Sequence, residues 1–311
     1  MALDPALATV ARRARSTLDH MGPMLGSELC EQLADVPKVA VWKACLKSDF
    51  VYRTAFGRYY LRYDITRDDG IRLTPSILRD FLTYTLLYTE NALPSVMELT
   101  AERLNALRIV SQRKLAFARQ LFLTAPGDVV AALRDTCCAY IAGDIAYNLA
   151  HDVPRKHVET GVTVHGSDID LVLVHNHKAD TDAVEAMEAH LLKTKHRYLM
   201  DPGVREELDF VVKPVSRMID QFAYDDIPSK IACKVLYESQ YVFGDVGIYD
   251  ALLANLKLSG VTAKIEADFA TALSSRKDTY AHLLEVADVA NPLDPDTASL
   301  FYFSQERVEM E

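Results

Sequence analysis

Residues 165–174, HGSDIDLVLV, constrain the fold more than any other stretch, because they place two carboxylates at the head of an apolar run. The run has the apolar and β-branched composition of a buried strand. Residues i and i+2 of a strand point the same way, so Asp168 and Asp170 are predicted to share one face, with Ile169 pointing into the core. Two neighbouring carboxylates repel each other and cannot be buried without compensation. A divalent cation supplies that compensation, so the stretch predicts a rigid strand with a metal-binding end.

A third carboxylate is predicted at Asp209. A two-metal site for phosphoryl transfer normally needs a further acid beyond one Asp-x-Asp pair. Asp209 opens the apolar run of residues 207–214, ELDFVVKP, which reads as a strand able to lie beside the first. Glu206 and Glu207 precede that run and fit the role less well.

The order of elements predicts an α+β protein in two parts. Residues 1–125 form an accessory N-terminal module, mostly helical and winged-helix-like, and residues 126–311 form a catalytic domain with a mixed sheet. The boundary is placed at residues 125–128, APGD. The predicted helices cover residues 6–20, 26–34, 74–88, 96–123, 128–135, 145–151, 181–194, 229–239 and 246–257. The predicted strands cover residues 58–66, 71–73, 136–142, 168–175, 207–214 and 240–243, with a turn at 67–70.

Charge is distributed unevenly along the chain, whose formal net charge is −10. Residues 1–125 carry 17 Lys and Arg against 13 Asp and Glu, whereas residues 126–311 carry 17 against 31. The acidic second part is therefore not expected to bind a polyanion over an extended surface, although metal ions would let it bind a nucleotide. No apolar run approaches the ~18 residues of a membrane span, so no membrane partner is expected. The five cysteines include no CxxC pair and predict reduced, buried thiols in the cytoplasm.

The acidic motif carries a resemblance to a known family. The string GSDIDLVLV, followed about forty residues later by Asp209 on a strand, resembles the nucleotidyltransferase superfamily with the DNA polymerase β-like fold. The segment YVFGD, residues 241–245, is similar to a short motif that follows the third acid in small bacterial members. The resemblance covers about residues 128–260 and does not extend to the first part.

The resemblance implies a Mg²⁺-dependent reaction. Asp168 and Asp170 would bind two Mg²⁺ ions, and Asp209 would bind the catalytic one and help take the proton from the attacking hydroxyl. A hydroxyl acceptor would attack the α-phosphorus of an NTP such as ATP, with pyrophosphate leaving. Metal ions stabilise the attacking and departing oxygens in such a reaction.

Two turns are candidates for phosphate binding, and both would contribute, Ser167 through its hydroxyl and Gly143 through its backbone. Gly166-Ser167 directly abuts the acids, whereas the family places a helix and a loop between such a turn and its Asp-x-Asp. Gly143, before the predicted helix 145–151, would let phosphates approach backbone N–H groups, but Asp144 stands where the family has Ser or Gly.

Two lysines are candidate phosphate ligands. Lys230 and Lys234 lie at i and i+4 on one helix face and would reach the β- and γ-phosphates, or they form an ordinary solvated face.

The acceptor stays open at this point. Arg58 and Arg62, interleaved with Tyr60, suit RNA, although a solvated hairpin with partly buried tyrosines has the same pattern. The other candidate acceptors are a protein hydroxyl, a small molecule and a second NTP. The alternative function is a catalytically degenerate nucleotide-sensing or nucleic-acid-binding regulatory protein, which Asp144 favours. A third possibility is a subunit that only binds a partner.

Overall fold

The computed structural model describes residues 4–63, 70–157, 159–286 and 295–303. The protein is α+β, as the order of elements predicts. The α-helices are α1 Pro5–Met21, α2 Gly26–Gln32, α3 Lys38–Lys47, α4 Ile77–Tyr84, α5 Val96–Leu123, α6 Gly127–Leu133, α7 Thr181–Met200, α8 Val215–Asp220, α9 Ile227–Tyr237, α10 Val246–Leu258, α11 Val261–Val286 and α12 Pro295–Phe301. The strands are β1 Met24–Leu25, β2 Tyr52–Ala55, β3 Tyr60–Tyr63, β4 Ile71–Thr74, β5 Thr85–Tyr88, β6 Cys137–Ile141, β7 Pro154–Lys156, β8 Thr163–His165, β9 Ile169–His175, β10 Leu208–Pro214 and β11 Gln240–Gly244. Short 3-10 helices cover Glu90–Ser95 and Gln221–Ala223.

Contacts along the chain define two compact units. Unit 1 comprises residues 1–60, 72–105 and 271–311, and unit 2 comprises residues 61–71 and 106–270. The domain boundary predicted after residue 125 stays a prediction, and the contacts place the breaks between the units elsewhere, after residues 105 and 270.

Unit 1 contains a three-stranded antiparallel sheet in the order β1-β5-β2. Its core includes Trp42, whose ring meets Tyr280 and Phe301 edge-on at centroid distances of 5.4 and 4.9 Å. The single helix predicted for residues 74–88 is wrong in its second half, because the helix ends at Tyr84 and β5 follows at once. All four residues of β5 are buried between β1 and β2, and this pairing outweighs the helical periodicity.

Unit 2 contains a four-stranded mixed sheet in the order β10-β9-β6-β11. β9 and β10 are parallel, and the other neighbours are antiparallel, so the predicted mixed sheet is confirmed. Every residue of β6 is buried, as are residues 171–174 of β9, which explains why both strands read as continuous apolar runs. α7 packs against β10 through one face with helical spacing. Its buried residues are Ala183, Met187, Leu191, Thr194, Tyr198 and Leu199.

Other elements differ from the sequence prediction. The strand predicted for residues 58–66 is observed as β3, with Leu61 and Tyr63 buried as the alternation requires. Its residues 64–66, and residues 67–69 of the predicted turn, lie outside the described residues. Several short elements and the long helix after residue 260 were not predicted. The unpredicted helices and strands are α3, α8, α11, α12, β1, β2, β5, β7 and β8.

All five cysteines are buried and unpaired, as predicted. No helix in the described ranges is both long and apolar enough to cross a membrane.

Candidate metal centre

Two neighbouring strands bring the three predicted carboxylates together. Asp170 on β9 lies directly opposite Asp209 on β10 in the parallel register, and Asp168 immediately precedes β9. Each of the three offers a carboxylate oxygen, and these oxygens all lie within 4.8 Å of one another. Asp168, Asp170 and Asp209 are referred to below as the acidic triad. Their approach follows from parallel pairing, which sets equivalent residues of the two strands side by side.

The surroundings of Asp170 shift the pKa of its carboxyl group upward. Part of its surface stays open to solvent, yet surrounding protein atoms displace enough water that desolvation is the largest cause of its altered pKa. That desolvation, with the neighbouring charges of Asp168 and Asp209, raises the pKa of Asp170 well above 3.8, and the positive charge of Lys234 opposes the shift. A bound cation would stabilise the ionised form of a carboxylate in this position.

Two basic side chains that the sequence did not reveal contact the triad. Lys195 of α7 places its Nζ 2.5 Å from Oδ1 of Asp209. Arg155 of β7 places a guanidinium nitrogen 3.8 Å from Oδ2 of Asp168. Neither residue belongs to a recognisable motif, and only the packing of α7 and of the β7–β8 hairpin brings them to the acids.

Arg155 also holds the turn that leads into β9. Its Nε donates to the carbonyl oxygen of Gly166 at 2.8 Å, and its guanidinium pairs with Glu207 at 2.7 Å. Burial raises the pKa of Glu207, and the charge of Arg155 opposes this shift. Glu207 therefore takes part in this ion pair; the sequence ranks it below Asp209 as a metal ligand.

The Gly166-Ser167 turn is built against His151. Gly166 has a φ of +54°, and a Cβ there would lie 1.8 Å from the carbonyl oxygen of His151, so a side chain does not fit. Ser167 is buried, and its hydroxyl donates to Oδ2 of Asp144 at 2.7 Å while accepting from the backbone N–H of His151 at 3.2 Å. The hydroxyl predicted to contact phosphate is thus hydrogen-bonded within the protein.

Gly143 borders the triad directly. It has a φ of +71°, and a Cβ at this position would lie 3.5 Å from Oδ2 of Asp170. The helix predicted for residues 145–151 is wrong: residues 143–148 form successive turns, and Asn148 adopts a left-handed φ of +59°. That conformation ends helical winding, and the backbone N–H of Ala150 instead donates to Oγ of Ser111 at 3.0 Å.

The two predicted phosphate-binding lysines have different surroundings. Lys234 forms an ion pair with Glu238, and the positive charge of Lys234 acts on Asp170. Lys230 instead lies 3.8 Å from Asp268 and 5.3 Å from the ring centre of Tyr224. The structure therefore brings Lys234 to the neighbourhood of the triad, whereas the contacts of Lys230 are with a separate cluster.

A buried ion pair connects the segments that carry the acids. Lys114 of α5 is fully buried, pairs with Glu206 and donates to the carbonyl oxygen of His165 at 2.7 Å. His165 ends β8 and lies three residues before Asp168, and Glu206 precedes β10. A lysine on a helix amid other basic residues gave no sequence signal of this role.

Of the two arginines predicted to bind RNA, Arg58 precedes β3 and Arg62 lies on it. Arg58 is exposed, Arg62 is partly buried on β3, and both make interactions with other residues. RNA binding by this face stays a prediction.

No protein-family description and no curated protein matches this sequence.

Proposed function

We propose that this protein is a Mg²⁺-dependent nucleotidyltransferase that transfers a nucleoside monophosphate from an NTP such as ATP to a hydroxyl acceptor. The observation that carries the proposal is the convergence of Asp168, Asp170 and Asp209, whose carboxylate oxygens lie within 4.8 Å of one another. The resemblance of GSDIDLVLV and Asp209 to nucleotidyltransferases supplies the reaction class.

The donor set fits a hard divalent cation. All three groups are carboxylates, the ligand type that Mg²⁺ and Mn²⁺ prefer, and two Mg²⁺ ions would be shared between them and the substrate phosphates. The raised pKa of Asp170 and the Lys195 ammonium seated on Asp209 both indicate that the cluster attracts positive charge. When bound, the ions would stabilise charge on the attacking and leaving oxygens of an in-line displacement.

The residues of the chain would divide the remaining work. Asp209, at the second position of β10, would accept the proton of the acceptor hydroxyl. Lys234 would offer a point charge to the nucleotide phosphates, and Gly143, which has no side chain beside Asp170, would let them approach the backbone. Gly166 and Ser167 would support the turn that leads into the strand carrying Asp170. Lys230, the remaining predicted nucleotide contact, has no role in this proposal, because its contacts are with Asp268 and Tyr224.

A labelling assay tests the proposal. The full chain would be incubated with Mg²⁺, each α-labelled NTP, and in turn total RNA, cell-extract protein, small hydroxyl compounds or no acceptor. Transfer of label is expected for one acceptor class, and the doubly substituted protein Asp168→Asn/Asp170→Asn should lose it while keeping its circular dichroism spectrum. Asp250→Asn, an exposed acid on α10, is the matched control and should retain activity. Full transfer by the double variant would show that the mechanism is wrong.

The contact between Asp144 and Ser167 favours a second candidate, a catalytically degenerate nucleotide sensor or nucleic-acid-binding regulator. It places a carboxylate on the hydroxyl that would otherwise donate to phosphate, which disfavours a productive triphosphate pose. Calorimetric titration with NTP and Mg²⁺ separates the candidates, because the sensor binds nucleotide but gives no labelled product with any acceptor.

A cytoplasmic location accompanies both candidates. Its support is the set of five unpaired, buried thiols, which suits a reducing compartment.

A further inference from the structure

The Lys195 ammonium lies directly on the acidic triad. Its Nζ is 2.5 Å from Oδ1 of Asp209, which is a short, charge-assisted contact. Asp209 is the one hydrogen-bonding or ion-pairing partner that Lys195 has among the described residues. A cation therefore already occupies one of the carboxylates that the proposed function assigns to metal.

The packing of α7 holds the root of this side chain in place. Thr194 and Tyr198 are buried against the core on either side of Lys195, and α7 lies against β10, the strand that carries Asp209. The Lys195 side chain itself remains 36% exposed, so its end is free to move into solvent once its partner is taken. Lys193, two residues earlier on the same helix, is exposed and makes no hydrogen bond or ion pair in the described part of the chain.

We propose that Lys195 is an internal counterion of the acidic triad, which holds Asp209 while the metal is absent and is displaced when a divalent cation binds. The inference rests on the proposed metal centre. An ammonium and a divalent cation compete for the lone pairs of the same carboxylate, and they repel each other at the distance that shared coordination would impose. Metal binding therefore includes the cost of breaking the Lys195–Asp209 pair.

The same pair stabilises the protein when no metal is present. Three carboxylates whose oxygens lie within 4.8 Å repel one another, and Lys195 offsets part of that repulsion at Asp209. Removal of the Lys195 charge should thus have two opposite effects. The metal-free protein should become less stable, and its affinity for metal should rise. A residue that serves only the packing of α7 would not couple these two effects.

Mn²⁺ titration of the full chain, followed by calorimetry and by electron paramagnetic resonance without nucleotide, tests the inference. Lys195→Met removes the charge and keeps the length of the side chain, and Lys193→Met is the matched control. Lys195→Met is expected to bind Mn²⁺ about threefold to fivefold more tightly than the wild type, the range for loss of a partly exposed ion pair. Lys193→Met should bind as the wild type does.

Thermal unfolding gives a second readout. In EDTA, Lys195→Met should unfold at a lower temperature than Lys193→Met, and saturating Mn²⁺ should raise its midpoint by more than it raises that of the wild type.

The outcomes separate this inference from the proposed function. If the wild type binds Mn²⁺ and Lys195→Met binds it equally or more weakly, the counterion role is overturned and the metal centre stands. If neither protein binds Mn²⁺, the proposed metal centre fails, and the inference fails with it. If Lys195→Met binds Mn²⁺ and the wild type does not, the result supports the counterion role.

Discussion

At the scale of single residues, Asp170 shows how a site residue can weaken the fold that carries it. Desolvation and the charge of Asp168 raise its pKa, so the folded protein disfavours its ionised form. Its stabilising contribution is present below the ordinary carboxyl pKa and is lost as the pH rises through the raised value in the folded state. At neutral pH without metal, the desolvated carboxyl group of Asp170 therefore lowers the free energy of unfolding.

Replacement of Asp170 by Asn should consequently stabilise the metal-free protein at pH 7 to 8. Because part of the side chain reaches solvent, which screens the charges, we expect a modest rise of about 2 °C in the unfolding midpoint. The measurement is thermal unfolding in EDTA by circular dichroism, with Asp250→Asn as the control. A midpoint below that of the wild type would contradict the reasoning.

Lys213 gives a pH-dependent prediction. Burial lowers its pKa from 10.5 to about 8, and its Nζ donates to Oε1 of Gln221 at 2.8 Å. Between pH 8 and 10.5 the unfolded chain binds more protons than the folded one, so this residue makes stability rise with pH in that window. Below pH 8 both states carry the charge, and the full desolvation penalty remains.

Lys213→Met should therefore be more stable than the wild type at pH 7, by about 1 kcal/mol, and this advantage should shrink toward pH 10. Urea unfolding of both proteins at pH 7, 8, 9 and 10 provides the comparison. An advantage that does not change with pH would show that the effect comes from packing and not from titration.

At the scale of elements, one buried ion pair joins a helix to the two segments that lead to the acids. Lys114 of α5 contacts Glu206, before β10, and the carbonyl oxygen of His165, at the end of β8. Burial lowers the pKa of Lys114 and raises that of Glu206, and the mutual attraction of the pair opposes both shifts. Loss of one partner would leave the other as an uncompensated buried charge.

Lys114→Met alone should lower the free energy of unfolding by about 3 kcal/mol, since Glu206 then remains buried without its main partner. The double variant Lys114→Met/Glu206→Gln should lose less than the sum of the two single variants. Urea unfolding of the four proteins completes the cycle, and additive losses would argue against a direct coupling. Arg13→Ala, which breaks the exposed pair with Asp35, is the control and should change little.

Elements also show where sequence periodicity is overridden. The segments 74–88 and 145–151 both read as helices, but β5 and the turns after Gly143 replace parts of them. In the first case a strand finds partners on both sides, and in the second Asn148 reverses the backbone twist. The intrinsic secondary-structure propensity of a segment contributes less free energy than the strand pairing and burial that the rest of the chain provides.

At the scale of the whole molecule, a chain of net charge −10 with a concentrated acidic cluster should depend on cations for part of its stability. A ligand that binds only the folded state stabilises it by mass action. Mn²⁺ at a hundred times its Kd should raise the free energy of unfolding by about 2.7 kcal/mol, and EDTA should reverse the effect. Urea unfolding at several Mn²⁺ concentrations measures the rise, and an equal rise in Asp168→Asn/Asp170→Asn would assign it to another site.

Local sequence pattern specifies the strands that carry the acids and the face that Asp168 and Asp170 share. Those features are local: a run of apolar, β-branched residues and a two-residue repeat define a strand without reference to the rest of the chain. It also singled out Asp209 as the candidate third acid, because Asp209 stands at the head of a second apolar run.

The distances between the three acids, and the basic side chains that contact them, depend on how the elements pack. The distance depends on the parallel register that sets Asp170 opposite Asp209, and register is a property of two strands together. Lys195, Arg155 and Lys114 reach the site from a helix, a hairpin and another helix, and nothing in their own neighbourhoods marks them. Their roles arise from electrostatic contacts between residues distant in sequence, which form only when the elements pack.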